Sequence, residues 1–266
     1  MASGGTPVVF IHGLWLHADS WGPWVDRFRQ AGYAPTAPGW PGDADTIEEA
    51  RQHPERVADY GINDVVEHYA QIIGKLDAKP IVIGHSFGGL MVQRLLGEDQ
   101  AAAGVAIDAA PIKGVVYLPP SALRVASVAL RSPSNRKRAV SLTRQQFRYG
   151  FGNALSEEES DDLYDRWTIP SPGRTLFEAA SANLVPHSPA KVNTENATRG
   201  PLLLTAGGKD HTVPAAITRS TLKQYRKSPA VTDYKEFHDR GHSLAIDSRW
   251  PEVADTVLSW LKRHSL

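Results

Sequence analysis

Three side chains in this sequence, Ser86, Asp210 and His242, could together turn an alcohol into a nucleophile. A serine hydroxyl attacks poorly at neutral pH, so it needs a base to take its proton and an acid to orient that base and offset its charge. Ser86 stands in Gly84-His85-Ser86-Phe87-Gly88-Gly89, between the apolar run Ile81-Val82-Ile83 and Leu90-Met91-Val92. That order reads as strand, sharp turn, helix, and the glycines permit a backbone path that a Cβ would obstruct. A bare G-x-S-x-G match is as often an ordinary turn; the flanks and partners give this one weight. His242 in Gly241-His242-Ser243 is the candidate base, and Asp210 after Gly207-Gly208-Lys209 the candidate acid. Asp108, which ends another buried run, is an alternative acid whose plainer role is a turn residue. His238 competes with His242 but lacks the preceding glycine, and His211 reads as a loop residue. A tetrahedral oxyanion also needs two fixed donors, which the backbone N–H groups of Phe87 and Leu14 could supply. The Trp15 and Phe87 side chains would wall the pocket, with core packing the equal alternative for Trp15.

These residues must be brought to one edge, and the periodicity suggests how. Pro7 to Ile11 is a continuous apolar run that stops at His12-Gly13, as a strand buried on both faces would. Trp21, Trp24, Val25 and Phe28 then keep helical spacing, with Asp19 or Ser20 as the cap and Gly32 at the stop. Tyr33 to Ala37 suggests a short strand. Ile62 to Leu76 gives a clear helical face leading to the strand before Ser86, and Gly104 to Asp108 a further buried strand. Strands alternating with helices predict an α/β protein with a mostly parallel sheet. From Leu118 to Arg199 the rhythm breaks. Ser156 to Glu159 resembles a capping box that opens a helix through Trp167, Pro170 and Pro172 end it, and Thr175 to Leu184 suggests another. The expected organisation is a core of residues 1–117 and 200–266 with a helical cap, 118–199, inserted between core strands. Tyr149, Phe151, Trp167 and Phe177 are candidates to line its pocket, packing within the cap being their plainer fate. Leu202 to Ala206 and Val231 to Phe237 complete the strands, and Val253, Val257, Leu258 and Leu261 mark a closing helix.

Composition narrows the chemistry. The 266 residues carry 29 basic and 29 acidic side chains, so bulk charge argues for neither nucleic acid nor an anionic membrane as partner. The cluster Arg131, Arg136, Lys137 and Arg138 reads as a solvated face. There is no cysteine, which removes disulfides, thiolate catalysis and cysteine-ligated metals. The histidines lack metal-ligand spacing, so neither a metal nor a cofactor is expected. Met1 to Thr6 carries no basic leader pattern, no spanning helix is evident, and the expectation is a cytoplasmic protein with a small-molecule substrate. Asn196-Ala197-Thr198 matches a glycosylation acceptor, a match without weight in that setting. Oligomeric state has no signature here.

Taken together, His12-Gly13-Leu14-Trp15, Gly84-His85-Ser86-Phe87-Gly88-Gly89, Gly208-Lys209-Asp210 with Val213-Pro214, and Gly241-His242 resemble the oxyanion loop, nucleophile elbow, acid loop and histidine loop of the α/β-hydrolase superfamily. The order Ser86, Asp210, His242 is that family's triad order. The resemblance spans nearly the whole chain and implies a central sheet flanked by helices, with the site under a helical cap. Family members usually carry two further strands before the oxyanion loop, and His12 leaves no room for them, so about six strands are expected. That short start is similar to the plant methyl-salicylate esterase and hydroxynitrile lyase branch. The lyases typically place threonine and lysine where Gly13 and Ser243 stand here, which favours esterase chemistry. Serine at the elbow, rather than aspartate, argues against the dehalogenase and epoxide hydrolase branches. The implied activity is a serine esterase acting on a small or medium carboxylic ester or lactone. A lyase, perhydrolase or C–C hydrolase reaction in the same site is the alternative, and a ligand receptor on this scaffold a more distant one.

Overall fold

A computed structural model describes residues 4–266; the leader reading at Met1 to Ser3 lies outside them. In chain order the elements are β1 (Pro7–Ile11), α1 (Gly22–Gln30), β2 (Ala34–Thr36), α2 (Ile47–Gln52), α3 (Ile62–Ile73), β3 (Ile81–His85), α4 (Phe87–Gly97) and β4 (Ala103–Ile107). There follow α5 (Pro120–Leu130), β5 (Ala139–Val140), α6 (Arg144–Gly150), α7 (Glu157–Trp167), β6 (Ser171–Pro172) and α8 (Gly173–Ala180). The chain closes with β7 (Leu202–Gly207), α9 (Ala215–Gln224), β8 (Thr232–Phe237) and α10 (Trp250–Arg263). No helix among the described residues is long and apolar enough to cross a membrane.

Six strands form one parallel sheet in the order β2-β1-β3-β4-β7-β8. This is the α/β-hydrolase type of sheet that the sequence leads one to expect. Side chains alternate faces at a period of two. Val9, Ile11, Val82 and Ala106 pack against α3 and α4, while Val8, Phe10, Ile81, Ile83, Val105 and Ile107 join Trp24 and Phe28 of α1 and Val253, Val257 and Trp260 of α10 on the other face. Burial on both faces is why these strands read as unbroken apolar runs. The edge strand β8 is only partly buried and accordingly mixes Thr232, Asp233 and Lys235 with Tyr234 and Phe237. From β1 the chain first adds β2 on one side and then β3 on the other. The order therefore reverses between β1 and β3, and the crevice where ligands bind in open parallel sheets opens beyond their C-terminal ends. The His12-Gly13-Leu14 loop and Ser86 lie there.

Several local expectations are corrected. Neither Asp19 nor Ser20 caps α1; a 3-10 turn over Ala18–Trp21 precedes it, and the His17 ring accepts from the Asp19 N–H at 3.2 Å. The capping box before α7 is half formed. Ser156 accepts from the Glu159 N–H at 3.2 Å, but the Glu159 carboxylate instead takes the Ser248 N–H at 2.7 Å, in the loop before α10. The helix begun near Thr175 starts at Gly173 and ends at Ala180, leaving Leu184 exposed. Four helices, α2, α5, α6 and α9, have no counterpart in the sequence reading.

Between β4 and β7, helices α5 to α8 stack beside the crevice, and the two-stranded β5-β6 ribbon pins them to the core. The pin is Trp15. Its N–H donates to Ser171 Oγ at 2.6 Å, its indole Nε1–H to Val140 O at 2.9 Å, and its carbonyl accepts the Ile169 N–H at 3.1 Å. These bonds hold a bulky residue at φ 65°, a left-handed conformation that costs a side-chain-bearing residue about 1 kcal/mol or more.

Candidate active site

Ser86 is the single residue between β3 and α4. At φ 55° and ψ −120° it belongs to neither element, so its side chain leaves both. Close approaches enforce that path. A Cβ on Gly84 would meet Gly88 O at 2.3 Å, and one on Gly88 would meet Ile11 O at 2.1 Å. The Ser86 N–H donates to Ile107 O at 2.9 Å, and its carbonyl accepts the N–H groups of Gly89 at 2.9 Å and Ala110 at 3.0 Å, which fixes the turn against β4.

His242 and Asp210 come from loops after adjacent strands. His242 is fully buried, and its Nδ1 lies 2.6 Å from Asp210 Oδ2. Asp210 Oδ1 accepts the Thr212 and Val213 N–H groups at 2.6 and 2.8 Å. With Nδ1–H donating to the carboxylate, Nε2 carries the ring's lone pair, the tautomer a general base requires. Nε2 is buried and has no hydrogen-bond partner among the described residues, so it makes no bond to Ser86 Oγ in this resting geometry. Burial alone would raise the Asp210 carboxyl, but the His242 imidazole, its hydrogen bond, and contacts from Asp108 and the Val213 N–H hold it below the usual carboxylate range. The loop carrying His242 is fastened by Arg240, whose guanidinium pairs with Asp247 and, at 3.1 Å, with Glu252.

His85 backs the arrangement. Its Nε2–H donates to His242 O at 2.8 Å and its ring lies 4.5 Å from the His242 ring. Burial, then the nearby His242, lowers its pKa to about 3, so the imidazole is neutral. Asp108 also adjoins the pair, with Oδ2 4.0 Å from His242 Nδ1. One ligand atom from each of Asp108, Asp210 and His242 falls within 4.8 Å of the others. Nδ1 and Asp210 Oδ2 face each other at hydrogen-bond distance, however, which is acid–base pairing rather than a donor set converging on a cation.

No acceptor among the described residues takes the N–H of Leu14 or of Phe87. Phe87 opens α4, where helix geometry leaves the first amides unpaired and adds a partial positive charge. Gly13 brings the Leu14 loop against the serine: a Cβ there would lie 2.7 Å from Ser86 Cβ and 3.4 Å from Oγ. Ser86 opens onto a cavity of about 100 Å³ lined by Trp15, Phe87, Val213 and Ile217 from the core and by α5 and α8. From α5 come Ala122, Leu123, Val125, Ala126 and Leu130, and from α8 Leu176, Ala179 and Ala180; apart from Ser86, Thr212 is the one polar lining residue. Leu118 and Leu123 line it while remaining 40% and 50% exposed, which marks its mouth.

The structure thus brings Ser86, Phe87 and Trp15 to one cavity, holds the Leu14 loop against the serine through Gly13, and bonds His242 to Asp210 beside the adjoining His85. It leaves the other candidates elsewhere. The His238 side chain is 85% exposed and pairs with Glu236. His211 bonds Tyr149 O at 3.0 Å. Tyr149, Phe151, Trp167 and Phe177 do not line the cavity; Phe151 stacks on Phe147 at 4.9 Å and edges the His242 ring at 4.7 Å. The α5 lining has no counterpart in the sequence reading, although Pro119-Pro120 followed by an Ala/Leu/Val run is a helix start. The role of His85 has one signal in the sequence, its place beside the serine.

A sequence profile described as the alpha/beta hydrolase family matches residues 8–256. A search among curated proteins by sequence finds no match. Among solved structures the chain is similar to the monoacylglycerol lipase of Paleococcus ferrophilus, at 21% identity and TM-score 0.65 over 98% of this chain and 96% of that one. It is similar to a methylesterase from Arabidopsis at 16% identity and TM-score 0.65, covering 98% of each chain. It is also similar to a polyneuridine aldehyde esterase mutant at 18% identity and TM-score 0.68, over 96% of this chain and 98% of that one. At these identities the likeness is one of fold.

Proposed function

The chain belongs to the alpha/beta hydrolase family, and on that premise we propose that it is a serine hydrolase cleaving a small or medium carboxylic ester, or a lactone, through an acyl-enzyme. Ser86 Oγ attacks the carbonyl carbon while His242 Nε2 takes its proton, and the Leu14 and Phe87 N–H groups hold the oxyanion. His242 returns that proton to the leaving oxygen as the C–O bond breaks. Water then adds to the acyl-enzyme, losing a proton to His242, and the acid departs as Ser86 regains its hydrogen. Asp210 keeps the imidazole oriented and offsets its charge throughout. Residues 118–199 serve as a cap, and the alkyl lining from α5 and α8 favours an uncharged, apolar group beside the scissile bond.

The observation that carries this reading is Ser86 at φ 55°, alone between strand and helix and open to the cavity, with the Asp210–His242 pair bonded at 2.6 Å and the His242 ring 4.5 Å from that of the adjoining His85. The names of the similar structures, a lipase and two esterases, agree with ester cleavage. Ser86→Ala should lower kcat on an activated nitrophenyl ester by at least about 10³-fold, with the fold retained by circular dichroism, and should abolish labelling by a fluorophosphonate. Retention of most of the activity would remove Ser86 as nucleophile.

A further inference from the structure

Asp108 takes no part in the reaction just described, yet it is fully buried against the residues that do. It ends β4 at φ 44°, a left-handed conformation that an aspartate holds only when its surroundings fix it. Its N–H donates to Thr205 O at 3.1 Å and its Oδ1 accepts the Gly207 N–H at 2.9 Å, so the side chain is pinned to the end of β7, three residues before Asp210. Oδ2 is different. It is buried, receives no hydrogen bond from any N–H or hydroxyl group among the described residues, and lies 4.0 Å from His242 Nδ1.

The charged and titratable groups facing it are Asp210 after β7 and His242 and Arg240 after β8, with His85 at the end of β3 packed against the His242 ring. Arg240 is committed to Asp247 and Glu252, and His85 is neutral. An ionised Asp108 would set a second negative charge beside the Asp210 carboxylate with no donor on its inner oxygen, a costly state in a buried site. A proton on Oδ2 removes the repulsion and converts the unpaired acceptor into a donor. Asp210 has lone pairs to receive it, since its oxygens accept only the Thr212, Val213 and His242 hydrogens.

We propose that Asp108 is a positioning residue of this site: a neutral carboxyl whose Oδ2–H donates to the Asp210 carboxylate, so that the two acids share one negative charge and Asp210 stays aligned on His242 Nδ1. Burial first, and the Asp210 charge second, push Asp108 well above the usual carboxyl range, while the contact with Asp108 helps to hold Asp210 low. The inference rests on the proposed roles of Ser86, His242 and Asp210. It makes asparagine at 108 a mimic of the native group, with Nδ2–H replacing Oδ2–H and Oδ1 still accepting from Gly207.

The test compares Asp108→Asn, Asp108→Ala and Asp210→Asn with the parent protein on a nitrophenyl ester, together with infrared spectra in the carboxylic C=O region at pH 7. Asp108→Ala should lower kcat about tenfold and move the acidic limb of kcat/KM upward by about half a pH unit, because the carboxylate facing the imidazole then bears its full charge. Asp108→Asn should restore kcat to within about threefold of the parent and return the limb, whereas Asp210→Asn loses about 10³-fold or more. A protonated-carboxyl band should be present in the parent and in Ser86→Ala and absent from Asp108→Asn. Asp108→Asn as inactive as Asp210→Asn, an unmoved limb in a folded Asp108→Ala, or no band lost in Asp108→Asn would each overturn the proposal. If Asp108→Ala does not fold, the band and the Asp108→Asn kinetics decide. The band read in Ser86→Ala is independent of turnover, so failure here is distinct from failure of the nucleophile assignment.

Discussion

Gly13 lacks a side chain where Ser86 takes up the room that one would need: a Cβ there would stand 2.7 Å from Ser86 Cβ and 2.9 Å from His85 O. Both obstacles belong to the elbow, which β3, α4 and the Ser86 N–H bond to Ile107 hold rigid, so the loop bearing Leu14 would be the part to move. A displacement of about 1 Å at a donor aimed at developing charge can cost about 10²-fold in rate. Gly13→Ala should therefore keep a native circular dichroism spectrum while losing about 10²-fold in kcat, with KM little changed. If kcat stayed within about threefold of the parent, Leu14 would not be an oxyanion donor.

Helix α5 supplies most of the far wall of the cavity, and it does so with small side chains, Ala122 and Ala126, between the larger Leu123, Val125 and Leu130. Ala126→Phe would fill the space beyond the carbonyl site without touching Ser86. For esters with a six- to eight-carbon acyl chain kcat/KM should fall about tenfold, while acetate esters change less than about twofold, since a methylene-sized contact is worth about 1 kcal/mol. Equal losses on both would place the acyl group elsewhere. That wall was also the part least legible in the sequence. Strands such as Val8 to Ile11 and Ile81 to Ile83 announce themselves because two-sided burial demands unbroken apolar runs, and Ser86, Asp210 and His242 stand out because short loops after such runs carry them. A helix that turns an alkyl face to a cavity has the same composition as one that turns it to a core, so α5 gives no sign of which it does. The large aromatics are legible as buried but not as to where: Phe151 is spent behind His242 rather than in front of Ser86. Glu159 fails as a capping-box partner for a related reason, because a donor 89 residues away, the Ser248 N–H, competes for its carboxylate.

For the molecule as a whole, the site stores a pH dependence of two opposing signs. His85 titrates at 6.5 in an unconstrained chain and at about 3 when folded, so between these values the unfolded state binds the extra proton and stability falls as pH drops. Asp108 acts in reverse: its folded-state value is raised above 3.8, so the folded state binds the extra proton and stability is lost as pH rises through that raised value. Above pH 3.8 and below both the raised Asp108 value and 6.5, the two slopes oppose one another, and the parent protein should show a shallower profile there than either group alone would give. His85→Gln removes one of the pair while keeping an amide N–H that can donate to the His242 carbonyl. Relative to the parent, this variant should gain about 2 kcal/mol between pH 7.5 and pH 5.0, the full slope being about 1.4 kcal/mol per pH unit below 6.5. Urea unfolding of both proteins at the two pH values measures the difference directly. Parallel stability curves would mean that His85 is protonated within the fold, and with it that the imidazole behind His242 carries a charge this buried site has no carboxylate to spare for.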